Sequence, residues 1–219
     1  MSDPHDTPNR LLEVARHFFA EYGYEGTTVR DIALAAEANL AAVGYHFGSK
    51  EGLYQEVLRS QVAPLADAVG QVCASGLPPL DKIAGIIHTV FDHIRARPEM
   101  APIIARELAS GREVNPALVQ TFRRLLPAVT GVVADGQRDG SIRKGDPVLI
   151  TLSVIAQPIY FNLGRKILAA VAGVQISDPA TARRMATHAA AVIRGGIAGP
   201  RALASRPRTA VTRRVGAAR

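Results

Sequence analysis

The chain has 219 residues, 47% of them hydrophobic and 5% aromatic, with one cysteine, no tryptophan and a formal charge of +7. That length suits a single domain of ordinary size or a small domain joined to a larger one, and the apolar fraction excludes disorder throughout. Lone Cys73 excludes an internal disulfide framework and a cysteine-rich zinc site, and no uncharged apolar run reaches the ~18 residues of a membrane span. The polar start, Met1 to Arg10 with Asp3 and Asp6, does not read as a secretory signal. A soluble, cytoplasmic protein is expected, and its basic balance raises the question of nucleic acid. The charge is uneven: residues 1–60 carry a net −4, residues 61–195 a net +5, and residues 196–219 a net +6 from six arginines and no acid. That last stretch is rich in Ala, Gly, Arg and Pro without apolar periodicity, so it reads as a disordered tail. It is either simply solvated or a non-specific polyanion contact.

Everything before the tail reads as helix, because Val, Ile and Thr nowhere alternate with polar residues over a strand length. Thr7-Pro8, Asn115-Pro116, Asp146-Pro147 and Asp178-Pro179 each pair a capping residue with proline at the first helical position. Leu11, Leu12, Ala15, Phe18, Phe19 and Tyr22 recur at spacings of three and four, giving a first helix that Gly23 ends. Thr28, with Asp31 three residues on, starts a short helix over 29–36. After the break Glu37-Ala38-Asn39, a second short helix runs from Leu40 to Phe47. Ser49 then caps a longer helix bearing Leu53, Tyr54, Val57, Leu58 and Val62. Two such short helices are unstable alone and need their neighbours. This is the helix-turn-helix arrangement, which leaves one face of the second helix free for a DNA major groove.

Residues 10–58, LLEVARHFFAEYGYEGTTVRDIALAAEANLAAVGYHFGSKEGLYQEVL with the preceding arginine, resemble the DNA-binding domain of the tetracycline-repressor (TetR) family. FAEYGYEGTTVRDIA and YHFGSKEGLY carry the likeness most strongly. NLAAVGYHFGSKEGLY is most similar to a branch whose larger domain has been linked to regulators of efflux and antibiotic-sensitivity genes. The sequence departs from the family pattern at Glu37, where glycine is usual, at Ala38-Asn39, and at Gly44, where Tyr or Asn is common. A groove-facing side chain is missing at Gly44.

The resemblance implies an all-α fold: a three-helix helix-turn-helix domain (8–58), a larger ligand-binding and dimerisation domain (61–195), and the basic tail (196–219). Arg30 matches a base-contacting position, where it would lie along a guanine edge; as plain structure it would be an exposed arginine paired with an acid such as Glu37. Ala41 and Ala42 either approach the groove and meet a thymine methyl or serve helix packing. Tyr45, His46 and Lys50 match phosphate-gripping positions, and Thr28 adds a helix N-terminus. Asn39 and Leu40 complete the expected DNA-binding set with Gly44, while Phe47 reads as core. His46 has no second ligand at metal spacing, so no metal and no cofactor is expected.

In the larger domain, helices are expected near 79–96, 98–110, 116–138, 147–172 and 179–195. The resemblance implies a homodimer through residues 147–195, with the last two helices forming a four-helix bundle with a partner. Leu149, Leu152, Ile155, Ala156, Ile159 and Leu163 supply one apolar face, and Ala182, Met185, Ala189, Ala190 and Ile193 another. A single-chain core would give the same pattern. The implied effector pocket draws walls from His88, Phe91, Met100, Ile103, Phe122, Tyr160 and Phe161, with Arg106, Glu107 and Gln157 as polar candidates; for each apolar residue ordinary core is the favoured alternative, and Arg106-Glu107 could be an exposed helix pair. Pro127 and Pro158 are expected to bend or break their helices. The expected function is a transcriptional repressor released from a palindromic operator by a small apolar ligand. A non-specific architectural DNA binder using the arginine tail is the alternative. No P-loop, GxGxxG, GxSxG or metal spacing suggests an enzyme.

Overall fold

The computed structural model describes residues 7–204. These form eleven helices: α1 (Thr7–Tyr22), α2 (Val29–Ala35), α3 (Leu40–Phe47), α4 (Lys50–Ala74), α5 (Pro79–Ala96), α6 (Met100–Ala109), α7 (Pro116–Arg138), α8 (Pro147–Leu163), α9 (Arg165–Ala172), α10 (Pro179–Ile197) and α11 (Pro200–Ala204). No strand forms among the described residues, although an isolated bridge pairs Ile142 with Ala198. The fold is all-α.

Local chemistry sets most helix starts. Asn39 accepts from the Ala41 N–H, Ser49 from Gly52, Asn115 from Ala117, Asp146 from Val148 and Asp178 from Thr181. Each bond satisfies a donor that the first helical turn leaves orphaned. Proline follows the last three caps, where its missing N–H costs nothing.

Two apolar clusters hold the helices together. The N-terminal one joins Leu11, Ala15 and Phe19 of α1 to Ile32 of α2, Val43 of α3, and Leu53, Tyr54 and Val57 of α4. Ile103 of α6 and Leu118 of α7 complete it, so the larger unit plugs the small one. The second cluster gathers Val69, Ile83, Ile87, Phe91, Val129, Val133, Val154 and Ala189 from α4, α5, α7, α8 and α10. Each fully buried Leu, Ile or Phe contributes about 1.5–3 kcal/mol. Helix α4 runs unbroken through residues 58–61, where a boundary was expected, and belongs to both clusters.

Several expectations need correction. The single helix expected over 147–172 breaks at Gly164, with α9 turned 64° from α8. Pro127 and Pro158 do not end α7 or α8, since each removes only one ladder bond and the flanking turns stay packed. The apolar face of α10 (Ala182, Met185, Ala189, Ala190, Ile193) is buried or half-buried in this chain's own core, not offered to a partner. On α8, Ile155 and Ile159 turn inward while Leu149, Leu152, Ala156 and Leu163 stay exposed. The tail begins later than expected. Ile197 is buried, Ala198 bridges to Ile142, and the short, mostly exposed α11 follows, so residues 196–204 are ordered structure. Residues 205–219, which carry five of the six tail arginines, lie outside the described residues.

Candidate functional site

The reading face is built by what α3 buries. Val43 anchors it in the N-terminal core, and Ala42 and Phe47 pack partly against the same cluster. The opposite side, Asn39, Leu40, Ala41, Gly44, Tyr45 and His46, faces solvent. Tyr45 is 86% exposed, and its ring meets His46 edge-on at 4.9 Å. Of the two alanines, then, Ala41 points outward and Ala42 serves packing. The α2–α3 turn is tight because Glu37 adopts the left-handed region (φ 50°) that glycine would take without strain.

Around this face, Arg30 is exposed and makes no ion pair among the described residues, so the alternative pairing with an acid such as Glu37 does not form. Thr28 caps α2 through the Asp31 N–H (3.1 Å) and donates its own hydroxyl proton to the Asp31 carboxylate (2.6 Å). The Lys50 ammonium lies 4.3 Å from the centroid of the Tyr24 ring. The sequence-predicted DNA-binding residues thus lie on and around the exposed side of α2–α3, apart from half-buried Ala42 and Lys50.

Behind this unit, α4 to α8 enclose a cavity of about 90 Å³. Val62, Leu65, Val90, Met100, Leu125 and Ile155 are among its walls, and Thr121 is the one polar side chain among the described residues lining it, its hydroxyl already donated to the Ala117 carbonyl. Ile104, Leu108 and Phe122 also border an outer apolar groove between α6 and α7.

Of the ten residues expected to form a pocket, Met100 and Phe122 line this cavity. Phe91 is core, 6.2 Å from the Phe161 ring, and Ile103 belongs to the N-terminal cluster. Tyr160 is 71% exposed. His88 and Gln157 are half-buried away from the cavity wall. Arg106 and Glu107 do not line this cavity, and they do not form an exposed pair with each other. Arg106 donates to the Ala20 and Glu21 carbonyls (3.0 and 2.7 Å), gripping the end of α1. Glu107, 3% exposed, accepts from the Tyr54 hydroxyl and the Asn115 N–H, each at 2.9 Å. Burial pushes the Tyr54 pKa up, and the bond to Glu107 adds to it.

Sequence reasoning missed the rest of this network. Asn115 also donates to Glu51 (3.2 Å), and the Arg112 guanidinium stacks 3.9 Å from the Tyr24 ring while facing Glu25 and Glu51. The partners come from α1–α2, α4 and the α6–α7 connection. Nothing local in the sequence marks them.

Residues 11–57 match the family described as "Bacterial regulatory proteins, tetR family". Residues 79–193, just over half of the chain, match "Tetracyclin repressor-like, C-terminal domain". The chain belongs to the TetR family. It is 34% identical over 138 residues to the HTH-type transcriptional repressor KstR2 of Rhodococcus jostii, covering 61% of this chain and 66% of that one. To the repressor AcnR of Corynebacterium glutamicum it is 40% identical over 68 residues, 31% of this chain and 36% of that one. The chain therefore spans from about a third to about two thirds of these relatives' lengths. The structure of the ketosteroid transcriptional regulator KstR2 of Mycobacterium tuberculosis is similar throughout, with a TM-score of 0.69 at 25% identity over 90% of this chain and 97% of that one. These relatives are named as transcriptional repressors, and the family itself is described as bacterial regulatory proteins.

Proposed function

We propose that the chain is a homodimeric repressor that reads a palindromic operator with α3 and leaves it when an apolar ligand enters the cavity. The observation that carries this reading is the two-sidedness of α6. Met100, Ala101, Ile104, Ala105 and Leu108 line the cavity, whereas Ile103, Arg106 and Glu107 hold the DNA-binding unit. A ligand of ordinary size needs about 300 Å³ or more, so it enters a 90 Å³ cavity only by moving a wall. When the wall is α6, the grip on α1 and Tyr54 moves with it. The shift is limited to the ligand's differential affinity for the two arrangements, typically about 1–3 kcal/mol. The apolar lining suits a hydrocarbon-rich ligand, as does the ketosteroid in the name of the similar KstR2.

Arg30 reads a guanine edge, Ala41 meets a base edge, and Tyr45, His46 and Lys50 hold phosphates, with Thr28, Asn39, Leu40, Ala42 and Gly44 shaping the approach. One copy offers too few contacts for tight binding. The second copy docks on α8, where Leu149, Leu152, Ala156, Tyr160 and Leu163 form an exposed stripe spaced three and four apart. Thr187, Ala191 and Gly195, small and exposed on α10, allow close approach beside it. The twofold axis then dictates a palindromic operator. Selection from a random duplex library tests this reading. Enrichment of a palindrome with half-sites about one helical turn apart, or a multiple of that, is expected. Binding that tracks duplex length without a motif would favour an architectural binder instead.

A further inference from the structure

A crevice of a different chemistry lies against the cavity wall. Ala101, Ala105 and Leu163 belong both to that wall and to the crevice, which measures about 250 Å³ and lies between α6 and the α8–α9 junction. The break at Gly164 creates that crevice by turning α9 away from α8. Its charged rim is Arg106, Arg165 and Lys166. Arg106 and Arg165 donate to neutral backbone carbonyls, those of Ala20, Glu21 and Pro98, and Lys166 is exposed with no ion pair among the described residues. The nearby acid Glu99 is already engaged by Arg16 (3.8 Å) and His17 (3.5 Å). Three positive charges therefore border a crevice that shares its wall with the apolar cavity, and no carboxylate is among the described residues lining it.

We infer that the effector is an amphipathic anion, its apolar body in the cavity and its carboxylate or phosphate end at Arg106, Arg165 and Lys166. This rests on the reading of the cavity as the effector site. Among the described residues lining the cavity nothing can pair with a charge: the one polar side chain, Thr121, has already given its proton to Ala117, and an unpaired buried ion is costly. A charged end must stay outside, at the crevice whose field suits it. The Ala20 and Glu21 carbonyls are neutral acceptors, whereas a carboxylate or phosphate adds the attraction of a full opposite charge, so an anion there competes with them for Arg106. Binding at this crevice loosens the grip on α1.

Titration calorimetry of the full chain with dodecanoate, dodecyl phosphate and dodecanol, each below its aggregation limit, tests this. Both anions should bind about tenfold tighter than the alcohol at low salt; the order of the two anions tells carboxylate from phosphate. Lys166→Gln and Arg165→Gln should each cut that advantage about threefold or more while leaving dodecanol binding and the melting temperature unchanged. Arg123→Gln, at the outer groove, should change neither. Equal binding of alcohol and anions, or an advantage lost only in Arg123→Gln, overturns the inference and leaves the apolar cavity reading intact. Failure of all three probes to bind overturns the cavity reading as well.

Discussion

Glu37 holds the α2–α3 turn in left-handed backbone, which costs a non-glycine residue about 1–2 kcal/mol. Glycine there removes that strain but frees the unfolded chain by about 0.4–1 kcal/mol. Glu37→Gly should therefore stabilise the protein by about 0.5–1 kcal/mol and raise its melting temperature; a lower one would mean that the Glu37 side chain has a role in the fold. His93 behaves differently. Its Nε2–H donates to the Gln61 carbonyl (2.8 Å) where α4 meets α5, and burial holds its pKa below the ordinary 6.5, with Arg97 adding to the depression. The unfolded chain then takes up the proton first. Stability should fall as pH drops below about 6.5 until the folded-state pKa is reached, and His93→Gln should flatten the melting temperature between pH 7 and 5. Caps such as Asn39, Ser49 and Asp178 were readable in the sequence because cap and helix are neighbours. The Tyr54–Glu107 bond spans 53 positions, and two polar residues so far apart carry no local sign of meeting.

Among the elements, α6 does most to link cavity and DNA-binding unit, although it is only ten residues long. Its periodicity was legible in the sequence, but not the assignment of its two faces, because both are occupied. Arg106 and Glu107 look like a solvated pair until α1 and α4 are placed beside them. Glu107→Gln turns one of two acceptors into a donor and leaves a buried donor, from Tyr54 or Asn115, unsatisfied, at a cost of about 1–3 kcal/mol. The variant should melt lower, and its DNA affinity should respond less to effector than that of the wild type. An unchanged response would show that the coupling runs elsewhere. The break at Gly164 was likewise hidden, since the apolar pattern continues across it and only packing shows α9 turning away.

For the whole molecule, the exposed stripe on α8 and the acidic reading unit make the same demand. On the proposed reading, a unit with net −4 over residues 1–60 would grip DNA through a few placed cations, and two copies would act together. Leu152→Glu places a charge in the centre of the stripe. It should shift the protein to monomer in analytical ultracentrifugation while sparing the fold, because Leu152 is 49% exposed in one chain. A variant that stays dimeric would move the interface away from α8. The central claim is that the outer side of α3 reads DNA, and Ala41→Glu tests it most directly, since Ala41 is exposed and supports no core. Against the duplex selected by the wild type, like charge at the groove should cost several kcal/mol, an affinity loss of about 100-fold or more, with the melting temperature unchanged. Wild-type affinity in Ala41→Glu would contradict the account.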